Sequence, residues 1–401
     1  MALPRVKIVL ANGALGAVAP LADGVLGLIT TAVAVPDTFE LNKAYKITSL
    51  DDLATLGITE ANNPRLYKDV SQFYTEAGTG SKAELWIFGV ADTVTLEDMV
   101  DSTSTTTARA LFEAANGRIR GIIISRKPDV AYTPTITNGI DADVEAAIVK
   151  AQVLGQYAQD TYKAPCFVII EGREYSGVSA DLSDQRQSTD NRVAVFIGDT
   201  ESDSGDAAVG ILAGRIAKIQ VQRNPGRVKD GSLAIASAYI KDKDARVADV
   251  AGIHDKGYIS LRTYTGRNGY YISDDPMCAK VSDDYSQLTA RRTIDKAFRI
   301  AYDTLLDELL DNLPVYPDGT LVPAIVKAWQ AKVETAISLQ MTANGELSAD
   351  PDDPNDRGVQ CYIDASQNVV STSKVNVSIK VRPFGYSRYI DVELGFQTVT
   401  Q

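Results

Sequence analysis

One short motif in this chain has the composition of a phosphate-binding loop. Residues 78–82 read Gly-Thr-Gly-Ser-Lys. They lack the Gly-Lys-Ser/Thr ending of a P-loop. They also follow a predicted helix and precede a predicted strand, which is the reverse of the order that a P-loop requires. The motif therefore does not predict a nucleotide site.

An acidic loop at residues 199–206 offers carboxylate oxygens at a spacing that could suit calcium. Its sequence does not place the glycine and the last glutamate where a twelve-residue calcium loop needs them. We therefore favour a solvated loop that caps the helix after it. The polar loop at residues 350–356 is interpreted in the same way.

Groups suited to acid–base or nucleophilic catalysis are sparse. His254 is the single histidine of the chain, and the three cysteines have neither metal nor redox spacing. The carboxylate pairs at 274–275 and 283–284 have no predicted pocket that would separate their pKa values. We expect residues 283–284 to lie at a helix N-terminus. The sequence predicts no enzyme activity, no metal site and no cofactor.

The composition is that of a soluble globular protein. The chain has 401 residues, which is enough for two or three domains, and a formal net charge of −12. An acidic chain of this size repels phosphate backbones, so we expect no nucleic-acid partner. No apolar run of 18 residues and no signal peptide are present, so we expect folding in the cytoplasm without membrane insertion.

The middle of the chain alternates apolar strands with amphipathic helices. Strands are predicted at 84–90, 119–125, 166–170 and 193–198, and helices at 64–76, 141–162 and 206–222. Continuous apolar strands between helices favour an α/β layer with a parallel sheet.

The remainder has a mixed α+β pattern. A hairpin is predicted at 257–280, with its turn at Asn268-Gly269. Helices are predicted at 293–310 and 323–341, with Pro323 at the first helical position, and a strand near 360–364.

Near both ends of the chain, apolar residues recur at every second position. Near the C-terminus the alternation predicts two strands and a terminal hairpin, and near the N-terminus it predicts one strand. An open strand must pair either within its own domain or with a neighbouring copy, and the sequence leaves both possibilities open. The apolar positions are Val6, Ile8 and Leu10, then Val375, Val377, Ile379 and Val381, and finally Ile390, Val392, Leu394 and Phe396.

A basic cluster stands out in this acidic chain. It comprises Arg291, Arg292, Lys296 and Arg299, of which the last three share one helical face. The cluster predicts either a solvated face with intrahelical ion pairs, for example to Asp295, or a docking face for an acidic partner.

Taken in order, these features resemble the contractile tail sheath proteins of phages and phage-derived injection systems. The likeness rests on the small-residue segment 21–30, the segment 36–56, residues 268–275 (Asn-Gly-Tyr-Tyr-Ile-Ser-Asp-Asp), the paired arginines of 291–295 and the terminal hairpin. It is spread over most of the chain, and no single motif carries it.

The resemblance implies an outer α/β domain with a mixed sheet, an inner C-terminal α+β domain, and β-strand arms at both termini. The corresponding boundaries are 1–18 for the N-terminal arm, 19–253 for the outer domain, 254–385 for the inner domain and 386–401 for the C-terminal arm. Within the outer domain, 19–98, 99–225 and 226–253 are a small subunit, the strand–helix layer and a connector.

The resemblance also implies partners. Copies of the chain would stack as six-membered rings around an inner tube, exchange terminal strands, and meet baseplate and tail-terminator proteins in a virion or injection particle. Contraction would drive the tube through a target envelope. Arg291, Arg292 and Lys296 would then be candidates for contact with the tube. The alternatives are an α/β nucleotide- or small-ligand-binding protein and a non-contractile tail or surface-layer subunit.

Overall fold

The computed structural model describes residues 23–78 and 83–394. The chain divides into two compact units, Met1–Leu306 and Asp307–Gln401. The predicted N-terminal strand with Val6, Ile8 and Leu10, and the position of Phe396, lie outside the described residues.

The described residues contain sixteen strands, several of only two residues, and ten α-helices. The strands are β1 (Val25–Thr31), β2 (Ala44–Ile47), β3 (Glu84–Val90), β4 (Gly121–Ser125), β5 (Ile136–Thr137), β6 (Ile140–Asp141), β7 (Phe167–Glu171), β8 (Thr189–Asp190), β9 (Val193–Ile197), β10 (Tyr239–Ile240), β11 (Lys243–Asp244), β12 (Ile259–Arg262), β13 (Tyr271–Ile272), β14 (Cys278–Ala279), β15 (Val359–Ile363) and β16 (Val377–Val381). The helices are α1 (Asp51–Thr55), α2 (Pro64–Ala77), α3 (Leu96–Met99), α4 (Ala108–Ala115), α5 (Ala142–Tyr162), α6 (Val209–Lys218), α7 (Val250–Asp255), α8 (Leu288–Leu306), α9 (Pro323–Gln340) and α10 (Val369–Thr372).

The first unit is built on an eight-stranded mixed sheet in the order β13-β12-β9-β7-β4-β1-β3-β2. The six inner strands run parallel, whereas β2 and β13 pair antiparallel at the two edges. Every residue of β1, β4, β7 and β9 is buried. Strands covered on both faces have no polar side to present, which explains why these strands are apolar except at their carboxyl-terminal ends. The predicted α/β layer with a parallel sheet is confirmed.

The helix periodicity predicted the core-facing side of α5 correctly. Val144, Ile148, Ala151, Leu154 and Ala158 are all buried on one face. The helix begins after Asp141, whose carboxylate accepts a hydrogen bond from the backbone N–H of Asp143 at its N-terminus.

The helices α2 and α6 approach each other closely because α6 has two glycines at the contact. A Cβ atom on Gly210 would overlap the backbone carbonyl of Asp69, and one on Gly214 would overlap that of Phe73. With no side chain at either position, the two helix backbones come into van der Waals contact. This packing holds α2 over the sheet and fixes where its polar residues lie.

The first compact unit runs to Leu306, and the boundary between outer and inner domains at 253/254 stays a prediction. The strands β12 and β13 form the hairpin predicted at 257–280 and continue the main sheet. The structure therefore places residues 254–306 in the first unit. Helix α8 begins at Leu288, five residues before its predicted start, and ends at Leu306.

The second unit contains α9, α10 and a two-stranded antiparallel sheet. Helix α9 begins at Pro323, as predicted, and packs on β15. The strand β16 pairs with β15 in the register Cys361↔Ile379. The predicted terminal hairpin is wrong in this respect, since β16 pairs with the strand before it and residues 382–394 form no strand. A search of the described helices finds none long and apolar enough to cross a membrane.

Candidate functional site

The carboxyl-terminal edge of the parallel sheet holds a buried ion-pair network centred on Arg65. The Arg65 guanidinium lies 3.0 Å from Asp69 on its own helix, 3.0 Å from Glu171 at the end of β7, and 3.1 Å from Asp206 in the acidic loop. Arg65, Asp69 and Glu171 are almost fully buried. One arginine thus joins helix α2 to the sheet and to the loop before α6.

Neighbouring groups donate hydrogen bonds to two of these carboxylates, Asp69 and Glu171. The Ser125 hydroxyl donates to Asp69 over 2.6 Å. The backbone N–H groups of Arg126 and Ala207 donate to Glu171 over 2.7 and 2.9 Å. Burial nevertheless raises the pKa of Glu171 to about 7, against the opposing effect of Arg65, and burial also raises the pKa of Asp69.

The acidic loop is part of this network. Its Asp199 accepts from Lys68 over 2.8 Å and from the Ser204 hydroxyl over 2.6 Å. No group of side chains among the described residues could hold a metal ion. The prediction that the loop caps the next helix is wrong, because α6 begins after Ala208, which has no side-chain cap. The loop instead supplies anionic partners for helix α2.

This edge is where open α/β sheets commonly bind ligands. In this protein the space beyond the ends of β4 and β7 is occupied by Arg65 and Asp69. A shallow pocket remains beside them, lined in part by Tyr175, Asp199 and Lys241. It brings together no set of groups with a recognisable catalytic arrangement.

The other residues whose side chains could take part in a reaction have local structural roles. His254 Nε2 lies 3.2 Å from a carboxylate oxygen of Asp274. The three cysteines are buried, and burial raises the pKa of Cys166 to about 12. Of the glycine-rich segment 78–82 only Gly78 is described, and it ends helix α2.

The carboxylate that binds the N-terminus of helix α8 is not one of the two that were predicted to lie there. It is Asp275, not Asp283 or Asp284, that binds the first turn, because its carboxylate accepts from the backbone N–H of Thr289 over 2.8 Å. Asp283 accepts from Asn191 and from the backbone N–H of Tyr285.

The basic cluster of α8 lies inside the first unit. Arg291, Arg292, Lys296 and Arg299 are each at most 7% exposed. The Nε of Arg291 donates to Asp295 over 2.9 Å, Lys296 binds Asp23 over 2.5 Å, and Arg299 donates to Asp23 over 2.9 Å. A solvated helix face is therefore wrong, although the intrahelical pair with Asp295 is present.

Arg292 has a different set of partners. Its guanidinium donates to the backbone carbonyls of Ile216 and Ile219, at the C-terminal end of α6. A cation at a helix C-terminus is favourable because the unpaired carbonyls carry partial negative charge. Contact of Arg291, Arg292 and Lys296 with an inner tube stays a prediction, and it would require these side chains to leave the partners described here.

The C-terminal segment is the most exposed apolar region that the structure describes. Tyr389, Ile390, Val392 and Leu394 are 82%, 77%, 78% and 93% exposed. Ile390, Val392 and Leu394 alternate with Asp391 and Glu393, so an extended segment would have an apolar face and an acidic face. Monomeric soluble proteins rarely leave such a run uncovered.

The strand β16 offers a matching open edge. Its Val377, Ile379 and Val381 are half-buried on one face. In the part of the chain that the structure describes, no strand pairs with its outer edge. The other strand of this small sheet is partly closed, because the backbone N–H of Cys361 donates to the Glu334 carboxylate over 2.9 Å.

Sequence reasoning missed the Arg65 network. The spacing of Arg65 and Asp69 by four residues was a visible signal for a helical ion pair. It gave no sign that Glu171 and Asp206, more than a hundred residues away, complete the site.

Solved structures of sheath proteins are among those that share this fold. The chain matches the contracted helical sheath of the anti-feeding prophage with a TM-score of 0.64 at 14% identity, over 98% of this chain and 99% of that one. It matches the contracted PVC sheath of an extracellular contractile injection system with a TM-score of 0.61 at 14% identity, over 98% of both chains. It also matches the sheath tail protein Lin1278 of Listeria innocua with a TM-score of 0.52 at 11% identity, over 90% and 92%.

The fold is therefore that of contractile sheath proteins, and the resemblance seen in the sequence is confirmed at the level of the fold. The chain itself belongs to the DUF2586 family. The N-terminal domain of that family matches residues 3–276, and its C-terminal domain matches residues 284–401. A comparison with curated proteins gave no match.

Proposed function

We propose that this chain is a structural subunit of a contractile tail sheath and not an enzyme. The observation that carries the proposal is the shared fold over nearly the full length of two contractile sheath subunits, both in the contracted state. By this proposal, copies stack as six-membered rings around an inner tube. Baseplate and tail-terminator proteins would bound the assembly at its two ends.

Neighbouring copies would be linked by strand exchange. The exposed segment at 389–394 is the proposed donor, and the open edge of β16 is the proposed acceptor. Val6, Ile8 and Leu10 remain proposed as a second donor at the N-terminus. Backbone pairing of this kind tolerates rigid-body rotation of the subunits, because it does not depend on one packed side-chain surface.

Contraction requires a subunit that moves as a body without unfolding. The continuous core of the first unit and its buried ion pairs suit this requirement. The energy for contraction would then come from contacts between subunits, and the particle would be assembled in the bacterial cytoplasm.

The experiment is negative-stain electron microscopy of the purified full chain and of a chain that ends at Arg388. The full chain should form hollow, cross-striated tubes, and the shortened chain should form none. Thermal melting should be unchanged, because the removed side chains that the structure describes are exposed. Tubes from the shortened chain would contradict strand donation.

The number of tube forms seen by electron microscopy distinguishes this proposal from a non-contractile assembly. A contractile sheath has an extended form and a shorter, wider form, whereas a non-contractile tail or surface layer has one. Globular particles only, from both chains, would refute self-assembly altogether.

A further inference from the structure

The polar loop at residues 350–356 ends at a junction from which the C-terminal segment leaves the second unit. Asp356 closes the loop, because its carboxylate accepts hydrogen bonds from the backbone N–H groups of Asp350 over 2.7 Å and Gly358 over 3.0 Å. The same carboxylate forms an ion pair with the guanidinium of Arg382, the first residue after β16. These bonds lower the pKa of Asp356, the bond from Asp350 most strongly, so the carboxylate stays ionised at neutral pH.

The backbone of Arg382 is held at the same junction. Its N–H donates to the carbonyl of Gly358 over 2.8 Å, and its carbonyl accepts from the N–H of Ser348 over 2.9 Å. Pro383 follows, with a fixed φ and no N–H of its own, and it restricts the residue before it to extended backbone. The chain therefore continues in an extended form past the end of β16.

The open edge of β16 lies on the other side of the strand from these bonds. Successive residues of an antiparallel pair direct their backbone groups to opposite sides. Because Arg382 bonds towards β15, the N–H groups of Val377, Ile379 and Val381 point to the open edge. The connecting residues 382–388 are more than a hairpin loop needs, so chain length alone would allow the segment that follows to fold back on this edge.

Folding back onto the chain's own β16 would compete with donation to a neighbour. A strand on a short flexible linker meets its own acceptor at an effective concentration of roughly millimolar order. In the structure the segment does not fold back, since Ile390, Val392 and Leu394 are each more than three-quarters exposed. A restraint at the start of the segment would account for this, and the junction at Arg382 lies there.

We propose that the ion pair of Asp356 with Arg382 positions the C-terminal segment so that it reaches a neighbouring copy and not its own β16. This inference rests on the proposed function, which makes the neighbour's β16 the acceptor. The pair sets direction and adds little stability, because the Arg382 side chain is 55% exposed and exposed ion pairs contribute little to the free energy of unfolding. A released segment fills its own edge, and such a copy neither donates nor accepts a strand.

The first test is assembly of the full chain with Arg382→Ala, followed by negative-stain electron microscopy. The variant should melt within about 3 °C of the natural chain and should form no tubes at a concentration where the natural chain forms them. Arg382→Lys keeps a cation beside Asp356 and should restore the tubes. Arg357→Ala is the matched control, since Arg357 is an exposed neighbour that binds Thr335 and takes no part in the junction.

Hydrogen exchange measures the edge of β16 directly and does not require tubes. The chain that ends at Arg388 has no donor, so its amides at Val377, Ile379 and Val381 exchange at the rate of an open edge. Dilute Arg382→Ala should exchange these amides about ten-fold more slowly. The same substitution in the chain that ends at Arg388 should restore the open-edge rate, which separates folding back from a local effect of the substitution.

Tubes from Arg382→Ala in the yield of the natural chain would remove the junction from the assembly mechanism and leave the sheath proposal intact. Open-edge exchange in Arg382→Ala would show that the released segment does not fold back, which also overturns the inference. If the natural chain forms no tubes, the proposed function fails, and the exchange comparison still decides what the junction does. Asp356→Asn removes the same ion pair from its other side and is the second variant if Arg382→Ala does not fold.

Discussion

The guanidinium of Arg65 lies 3.0 Å from the carboxylate of Glu171, so one buried ion pair joins helix α2 to the last residue of strand β7. The same arginine holds Asp69 and Asp206. This edge of the sheet is therefore closed by internal charges, which favours a structural role over ligand binding.

Removal of Arg65 should destabilise the first unit strongly. The variant Arg65→Met leaves three carboxylates without their shared cation, two of them fully buried, and should lower the free energy of unfolding by about 3–5 kcal/mol. Urea unfolding followed by circular dichroism measures this change. Arg246→Met is the control, because the Arg246–Asp244 pair is largely exposed and should contribute little. Equal effects of the two variants would refute the central role of Arg65.

The raised pKa of Glu171 predicts a specific pH dependence. Because this pKa is about 7 in the folded protein and near 4.5 in the unfolded chain, the folded state binds more protons between these values. The contribution of Glu171 to stability is fully present below about pH 4.5 and is lost as the pH rises towards about 7.

The measurement compares the natural chain with Glu171→Gln, which cannot titrate. The difference in free energy of unfolding, natural minus variant, should fall between pH 4.5 and 7 and stay constant above pH 8. Arg65, Arg173 and Asp206 also act on this carboxylate, and they are the same in both proteins. A difference that stays flat across this window would contradict the raised pKa and would show that Arg65 keeps Glu171 ionised throughout.

The close contact of α2 with α6 predicts that Gly214 does not tolerate a side chain. Gly214→Ala should lower the free energy of unfolding by about 1–3 kcal/mol or more, because its Cβ would overlap the backbone of Phe73. Gly385→Ala is the control, since a Cβ there would meet open space. Thermal melting of the two variants decides the point, and equal melting temperatures would contradict the packing described for α6.

Because the C-terminal segment is exposed, we expect changes to its apolar side chains to prevent assembly without lowering the melting temperature. The double variant Ile390→Ser and Val392→Ser should melt like the natural chain, because both side chains are more than three-quarters exposed. It should nevertheless form no tubes, since the apolar face proposed to dock on a neighbour is gone. The matched control is Asp391→Asn with Glu393→Gln, which alters the opposite face of the same segment.

Electron microscopy and sedimentation provide the readout for these two double variants. Tubes from the serine variant in normal yield would remove the apolar face from the assembly mechanism. A lower melting temperature of the serine variant would instead show that the segment packs on its own chain.

Local patterns were sufficient to predict many of the elements. The strands at 119–125, 166–170 and 193–198 and the helix at 141–162 were predicted to within three residues at each end. The start of α9 at Pro323 was also correct, whereas the turn predicted at Asn268-Gly269 was wrong, because the backbone N–H of Arg267 donates to the carbonyl of Tyr264 and places the tight turn at residues 264–267. These features depend on hydrophobic periodicity and on backbone preferences, and both are properties of short stretches of sequence.

The sequence by itself thus determined the α/β class, the order of its main elements and the alternating apolar faces at the C-terminal end. The tertiary structure decided which strand pairs with β16, that the basic residues of α8 lie inside the unit, and that Arg65 meets Glu171. These outcomes depend on contacts between residues far apart in the chain. The same Arg or Val is compatible with a buried or an exposed position, and only the packing of the whole chain selects between them.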